Sequence, residues 1–88
     1  MSYRVEFSDR ARKDFNRLNR TQQVRIAARI DELGMNPYDP RISGVLTARE
    51  GLRRSRVGGW RIIFAVDDDA KVVRVVTMER RGQVYKRL

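Results

Sequence analysis

Eighty-eight residues, 41% hydrophobic and 35% charged, suffice for one small folded domain and are too few for two. The chain has no cysteine and no histidine, which excludes a disulfide framework, a thiolate cluster and an imidazole metal site, and it has no apolar run fit for a signal peptide or a membrane span; the expected setting is the cytoplasm. Twenty basic residues against eleven acidic ones give a formal charge of +9, and most of the basic residues are arginine, whose planar fork grips phosphate at two points, so nucleic acid, anionic lipid or an acidic protein is the expected partner.

In chain order, Tyr3, Val5 and Phe7 alternate with Arg4 and Glu6, the period of a half-buried strand. Ser8 stands where an N-cap belongs, Asp9 follows in the first turn, and Phe7, Ala11, Phe15 and Leu18 recur at helical spacing. Thr21 is the expected cap of a second helix, with Ile26, Ala27, Ile30 and Leu33 as its inward stripe and Gly34 as its stop before "MNPYDP". From Met35 to Glu50 the prolines at 37 and 40 and Gly44 predict a loop with a short anchor at Val45 and Leu46. The run "LRRSRVGGWRIIFAVDDDAKVVRVVTM" then reads as a three-stranded meander, turned at "GG" and at a five-residue "DDDAK" loop. The expected class is α+β in the order β-α-α-β-β-β: a small antiparallel sheet with both helices packed on one face, spanning 1–88 as a single domain.

A tight turn at Gly58 and Gly59 sets Val57 opposite Trp60 and Arg56 opposite Arg61, and alternation puts Arg54 on the same face. Like charges directly across a ladder destabilise it, so this gathering of guanidiniums calls for an anion. With a five-residue second loop, Val66 pairs with Val72 and Arg61 with Thr77, and Arg81 falls on the arginine side. Trp60, Ile62, Phe64, Val66, Val76 and Met78 then face the helices. Ile63, Val73 and Val75 share the arginine face, an apolar strip that a partner would cover.

The run "LRRSRVGGWRIIFAVDDDAKVVRVVTMERRGQVY" resembles the second half of RelE-type toxins of the RelE/ParE superfamily, and "FSDRARKDFNRL" resembles that family's first helix. The resemblance implies a microbial-ribonuclease fold and an endoribonuclease that cuts messenger RNA in the ribosomal decoding site by attack of a ribose 2′-hydroxyl on the adjacent phosphate. Carried over by position, it makes Arg61, Arg81 and Tyr85 the catalytic residues and Arg54 and Arg56 the RNA phosphate contacts, with no metal and no cofactor. It further implies a RelB-like cognate antitoxin with an acidic binding segment, laid against Ile63, Val73 and Val75, and a toxin–antitoxin complex that forms a higher oligomer on operator DNA. Relatives often carry lysine in the first strand of the meander; with arginine at 54 and 56 the general base is open between Tyr85 and Glu79, because guanidinium keeps its proton. Two other readings stand beside this one: a ParE-like toxin that poisons DNA gyrase, and a non-catalytic basic module that binds RNA or DNA.

Overall fold

The structure is a computed structural model and describes residues 2–80. These form β1 (Arg4–Phe7), α1 (Asp9–Asn16), α2 (Arg20–Met35), β2 (Gly44–Val45), β3 (Arg53–Val57), β4 (Trp60–Asp67) and β5 (Val72–Arg80). The strands make one sheet in the order β1-β5-β4-β3-β2. It is mixed, contrary to the antiparallel sheet expected: β2, β3, β4 and β5 pair antiparallel, but β1 runs parallel to β5, Arg4 opposite Val72 and Phe7 opposite Val75. A parallel pair needs a long crossover, and the helical hairpin supplies it by carrying the chain across the sheet before the meander begins.

Both helices lie on one face. Ala11, Leu18, Ile26, Ile30 and Leu33 pack there against Val57, Ile62, Phe64, Val73, Val75 and Met78. Ser8 caps α1 as its position predicts, accepting the Ala11 N–H through Oγ. The cap of α2 is Asn19, two residues before Thr21; its Oδ1 accepts the Gln22 N–H, and Ala27 points to solvent. Gly34 does not stop this helix but lies in its last turn, where β1 crosses closely: the Tyr3 N–H donates to the Gly34 carbonyl at 2.7 Å, and a Cβ at 34 would sit 3.4 Å from Tyr3 O and Val5 Cγ2.

The β3–β4 hairpin has the expected register, with Val57 opposite Trp60 and Arg56 opposite Arg61, and Gly58 takes a φ of 58°, which glycine adopts without steric cost. The β4–β5 register differs from expectation. Asp67 Oδ1 accepts the Ala70 N–H and Lys71 adopts a left-handed φ of 57°, so the loop shortens to Asp68–Lys71 and Asp67 faces Val72. A bulge then leaves Val76 without an opposite residue, between the pairs Phe64–Val75 and Ile63–Thr77. Arg61 therefore lies opposite Glu79 instead of Thr77.

The shortened loop corrects the apolar strip. Val73 and Val75, expected on the arginine face, lie in the core beneath the helices, where Val76 was expected, and both are fully buried. Ile63 stays outside that cluster but is only 1% exposed. None of the three offers a surface to an antitoxin.

The "DDD" turn also ties distant segments together. Tyr3 and Tyr38 donate their hydroxyls to the two carboxylate oxygens of Asp68 at 2.8 and 2.7 Å, tying the start of β1 and the loop after α2 to the β4–β5 turn. The shared bonds hold Asp68 below its ordinary value and push Tyr38 up to about 12.

β1 ends at Phe7, so the edge of β5 beyond Val75 would be bare. Ser8 covers its first part: the Ser8 N–H donates to the Val75 carbonyl and its hydroxyl to that of Val76. Asp14, two turns along α1, covers the rest by accepting the Met78 N–H at 3.1 Å and the Thr77 hydroxyl at 2.8 Å. Desolvation pushes the Asp14 carboxyl up, but the Met78 N–H, the Thr77 hydroxyl and Arg10 outweigh it, and the group titrates below its ordinary range.

Asp14→Ala should cost about 1–2 kcal/mol, the scale of losing charge-assisted hydrogen bonds at a site whose side chain is 13% exposed. Because the folded pKa is depressed, this contribution is complete above the unfolded value, about pH 4, and is lost as the pH falls through the folded one. Denaturant titrations of both proteins should show a gap at pH 7 that closes toward pH 2.

Candidate functional site

Arg54 and Arg56 on β3 and Arg61 on β4 project from the sheet face opposite the helices, since the residues that alternate with them, Ser55, Val57 and Ile62, point inward. Arg54 lies opposite Ile63, and its guanidinium rests over Gly44 of β2, where the missing side chain leaves room. Arg56 is exposed. Its neighbour across the ladder, Arg61, is half-buried and held by Glu79: Nη2 lies 3.0 Å from Oε1, with side-chain exposures of 26% and 28%. The cross-strand repulsion between Arg56 and Arg61 is thus offset by a carboxylate from the next strand. Of the residues expected at the site, the sheet brings Arg54, Arg56 and Arg61 together. Arg81 and Tyr85 lie outside the described residues.

The backbone under these arginines is fixed from the other face by Arg29 of α2. Its Nη1 donates to Ser55 Oγ at 3.0 Å and to the Arg56 carbonyl at 2.6 Å, while Nε pairs with Glu32 at 3.2 Å. Ser55 is fully buried and has its partner in this bond. Sequence reasoning passed over Arg29, although a signal was there: it sits among Ile26, Ile30 and Leu33 on the inward stripe, and Ser55 is the small polar residue on the inward parity of β3. Arg53, at the start of β3, stacks on Tyr38 with Cζ 4.9 Å from the ring centroid and donates to Ser43 Oγ at 2.9 Å, anchoring the other end of the strand.

Chemically, the face offers fixed positive charge and directional N–H donors but, among the described residues, one carboxylate beside them and no imidazole. It can bind and polarise a phosphodiester. Glu79 is placed as the internal anion on Arg61, and a phosphate that takes the same Nη2 competes with it.

A family model described as the ParE toxin of a type II toxin–antitoxin system, parDE, matches residues 5–85. Among solved structures, the chain is similar to the archaeal RelE–RelB complex from Pyrococcus horikoshii, with 25% identity, a TM-score of 0.80 and coverage of 94% of this chain and 99% of that one. It is similar to the same degree to the RelBE2 toxin–antitoxin complex of Mycobacterium tuberculosis, with 25% identity, a TM-score of 0.79, and coverage of 92% and 100%. The intact E. coli RelBE complex shares the fold at 20% identity, a TM-score of 0.81, and coverage of 93% and 100%. No curated protein sequence gives a significant match.

Glu79→Gln keeps the shape of the pair and removes its charge. Calorimetric titration with pyrophosphate should show severalfold tighter binding by this variant than by the unaltered chain, and equal affinities would mean that Glu79 does not compete for Arg61.

Proposed function

The chain belongs to the ParE toxin family of type II toxin–antitoxin systems, within the RelE/ParE superfamily, and from that membership we propose that it is a RelE-type, ribosome-dependent endoribonuclease. The observation that carries this reading is the row of three arginines on the face opposite the helices, with Arg56 and Arg61 directly across from one another. In the proposed reaction a ribose 2′-hydroxyl attacks the adjacent phosphorus in line, the P–O5′ bond breaks, and the products are a 2′,3′-cyclic phosphate and a free 5′-hydroxyl. Arg54 and Arg56 hold the flanking phosphates. Arg61, with Arg81, stabilises the charge that builds on the phosphorane-like transition state, and Tyr85 orients the reacting nucleotide. Guanidinium does not accept the 2′-proton at neutral pH. Alignment and proton acceptance thus depend on groups outside the arginine row, and the decoding site of the ribosome supplies the alignment. The basic surface around Arg10, Arg17 and Arg20, all exposed, holds the protein there through salt-sensitive contacts.

The similar RelE–RelB complexes support a cognate antitoxin for this chain too. With Val73 and Val75 in the core, that partner engages the arginine face through carboxylates, and the apolar strip plays no part. A second reading, gyrase poisoning, is favoured by the family model's own description as a ParE toxin.

In a translation extract read by primer extension, the chain should produce defined cuts within ribosome-bound message and leave a bare oligonucleotide intact at physiological salt. Arg61→Ala should lower the cleavage rate on the order of 10²-fold with the fold intact. Gyrase inhibition with no message cleavage would transfer the assignment to the second reading.

A further inference from the structure

On the reverse side of the β3–β4 hairpin from Arg54, Arg56 and Arg61, a cleft of about 200 Å³ opens between α2 and the hairpin tip. Its floor is apolar, from Ile26 and Val57, and its walls are Gln22, Arg25, Trp60 and Arg80. Trp60 is only partly buried: it packs against the core while lining the cleft, so part of its indole borders open space. Trp60 and Arg80 lie opposite each other in the β4–β5 ladder, and both line the cleft. Arg25 reaches in from α2, and its guanidinium lies so close over Gly58 that a Cβ there would stand 3.2 Å from both terminal nitrogens. Glycine at 58 thus serves the turn and also admits Arg25. Among the described residues no carboxylate lines the cleft, and neither Arg25 nor Arg80 is in an ion pair.

We propose that this cleft is a second nucleotide subsite, which takes one base of single-stranded RNA on the Trp60 indole and its flanking phosphates on Arg25 and Arg80. Two guanidiniums around an aromatic ring, with no acid between them, match a stacked base and its phosphodiesters; an acidic peptide offers the anions without the stacking surface. The volume is below the roughly 300–1,000 Å³ of sites for drug-sized ligands and suits one planar ring. The Gln22 amide, with donors and an acceptor, is the group positioned to meet a base edge. The route from the arginine face runs past Gly59, where nothing lies within 4 Å of where a Cβ would be, and meets the Arg25 guanidinium over Gly58. The subsite rests on the reading that RNA occupies the arginine face, and it extends that contact around the hairpin.

Trp60 is the chain's one tryptophan, so its fluorescence reports on the cleft directly. The full chain is titrated with a 2′-O-methyl trinucleotide, which binds but cannot be cleaved, and in parallel with inorganic phosphate and with an oligoglutamate peptide. Saturable quenching by the trinucleotide alone is expected. Arg25→Ala and Arg80→Ala should each weaken it about 10-fold, the scale of losing a base-stacking or phosphate partner, with unchanged thermal melting. Arg61→Ala should lower message cleavage on the order of 10²-fold yet keep most of the quenching. Absence of quenching, equal quenching by phosphate or by the peptide, or complete loss in Arg61→Ala would overturn the subsite. Quenching of the unaltered chain together with its failure to cleave ribosome-bound message would retain the subsite and sink the ribonuclease reading instead.

Discussion

The edge of β5 is where this fold is decided. β1 is four residues long and β5 is nine, so the parallel ladder runs out halfway along the longer strand and leaves backbone polar groups to be satisfied. Ser8 and Asp14 take over that task from α1. Ser8 joins three things at one residue: the end of β1, the first turn of α1 and the carbonyls around the Val76 bulge. Asp14 then accepts from Thr77 and Met78. A helix thus completes a strand edge through side chains and a backbone N–H, and the position of α1 and the register of β5 become one constraint.

A second constraint couples the other helix to the arginine face. Arg29 brings a charge to the margin of the core, where it would be costly without partners, and it finds three: Ser55, the Arg56 carbonyl and Glu32. The carbonyl belongs to the residue whose side chain points the opposite way. Movement of α2 would therefore be felt at Arg56 through the backbone, and the arginines are presented by a sheet braced from behind. Glu79 braces from the front, by fixing the Arg61 guanidinium in one orientation before any ligand arrives. Preorganisation of this kind reduces the side-chain ordering that binding an anion would otherwise require.

Local rules made much of this legible. Alternation gave the first strand, the cap rule gave Ser8, and the two glycines gave the β3–β4 register, which was enough to gather Arg54, Arg56 and Arg61 on one face. What escaped was set by a few hydrogen bonds with no sequence period of their own. The Asp67 side chain shortens a loop by one residue, and Val76 adds one residue to a strand; either alone reverses the facing of everything downstream in β5. Val73 and Val75 were misplaced by the loop alone, since both precede the bulge, and branched apolar residues suit either face equally well. The parallel β1–β5 pairing was hidden by its span, since its partners are 68 residues apart at Arg4 and Val72. Arg29 was overlooked because a lone charge on a helix reads as solvated until its partners are in view.

The bulge at Val76 also makes the charge of the arginine face a matter of counting. Through it, Met78 points toward the helices, Glu79 toward Arg61 and Arg80 toward Trp60. If β5 alternated regularly from Val75 onward, Glu79 would turn under the helices and Arg80 would join the arginines, replacing the acid with a fourth base. Excision of Val76 would straighten the ladder and leave both faces as they are, whereas excision of Thr77 with the bulge retained would exchange Glu79 and Arg80. Insertions and deletions in this strand are therefore the lineage's shortest route to inverting the polarity at Arg61, shorter than any series of substitutions that must also preserve the core.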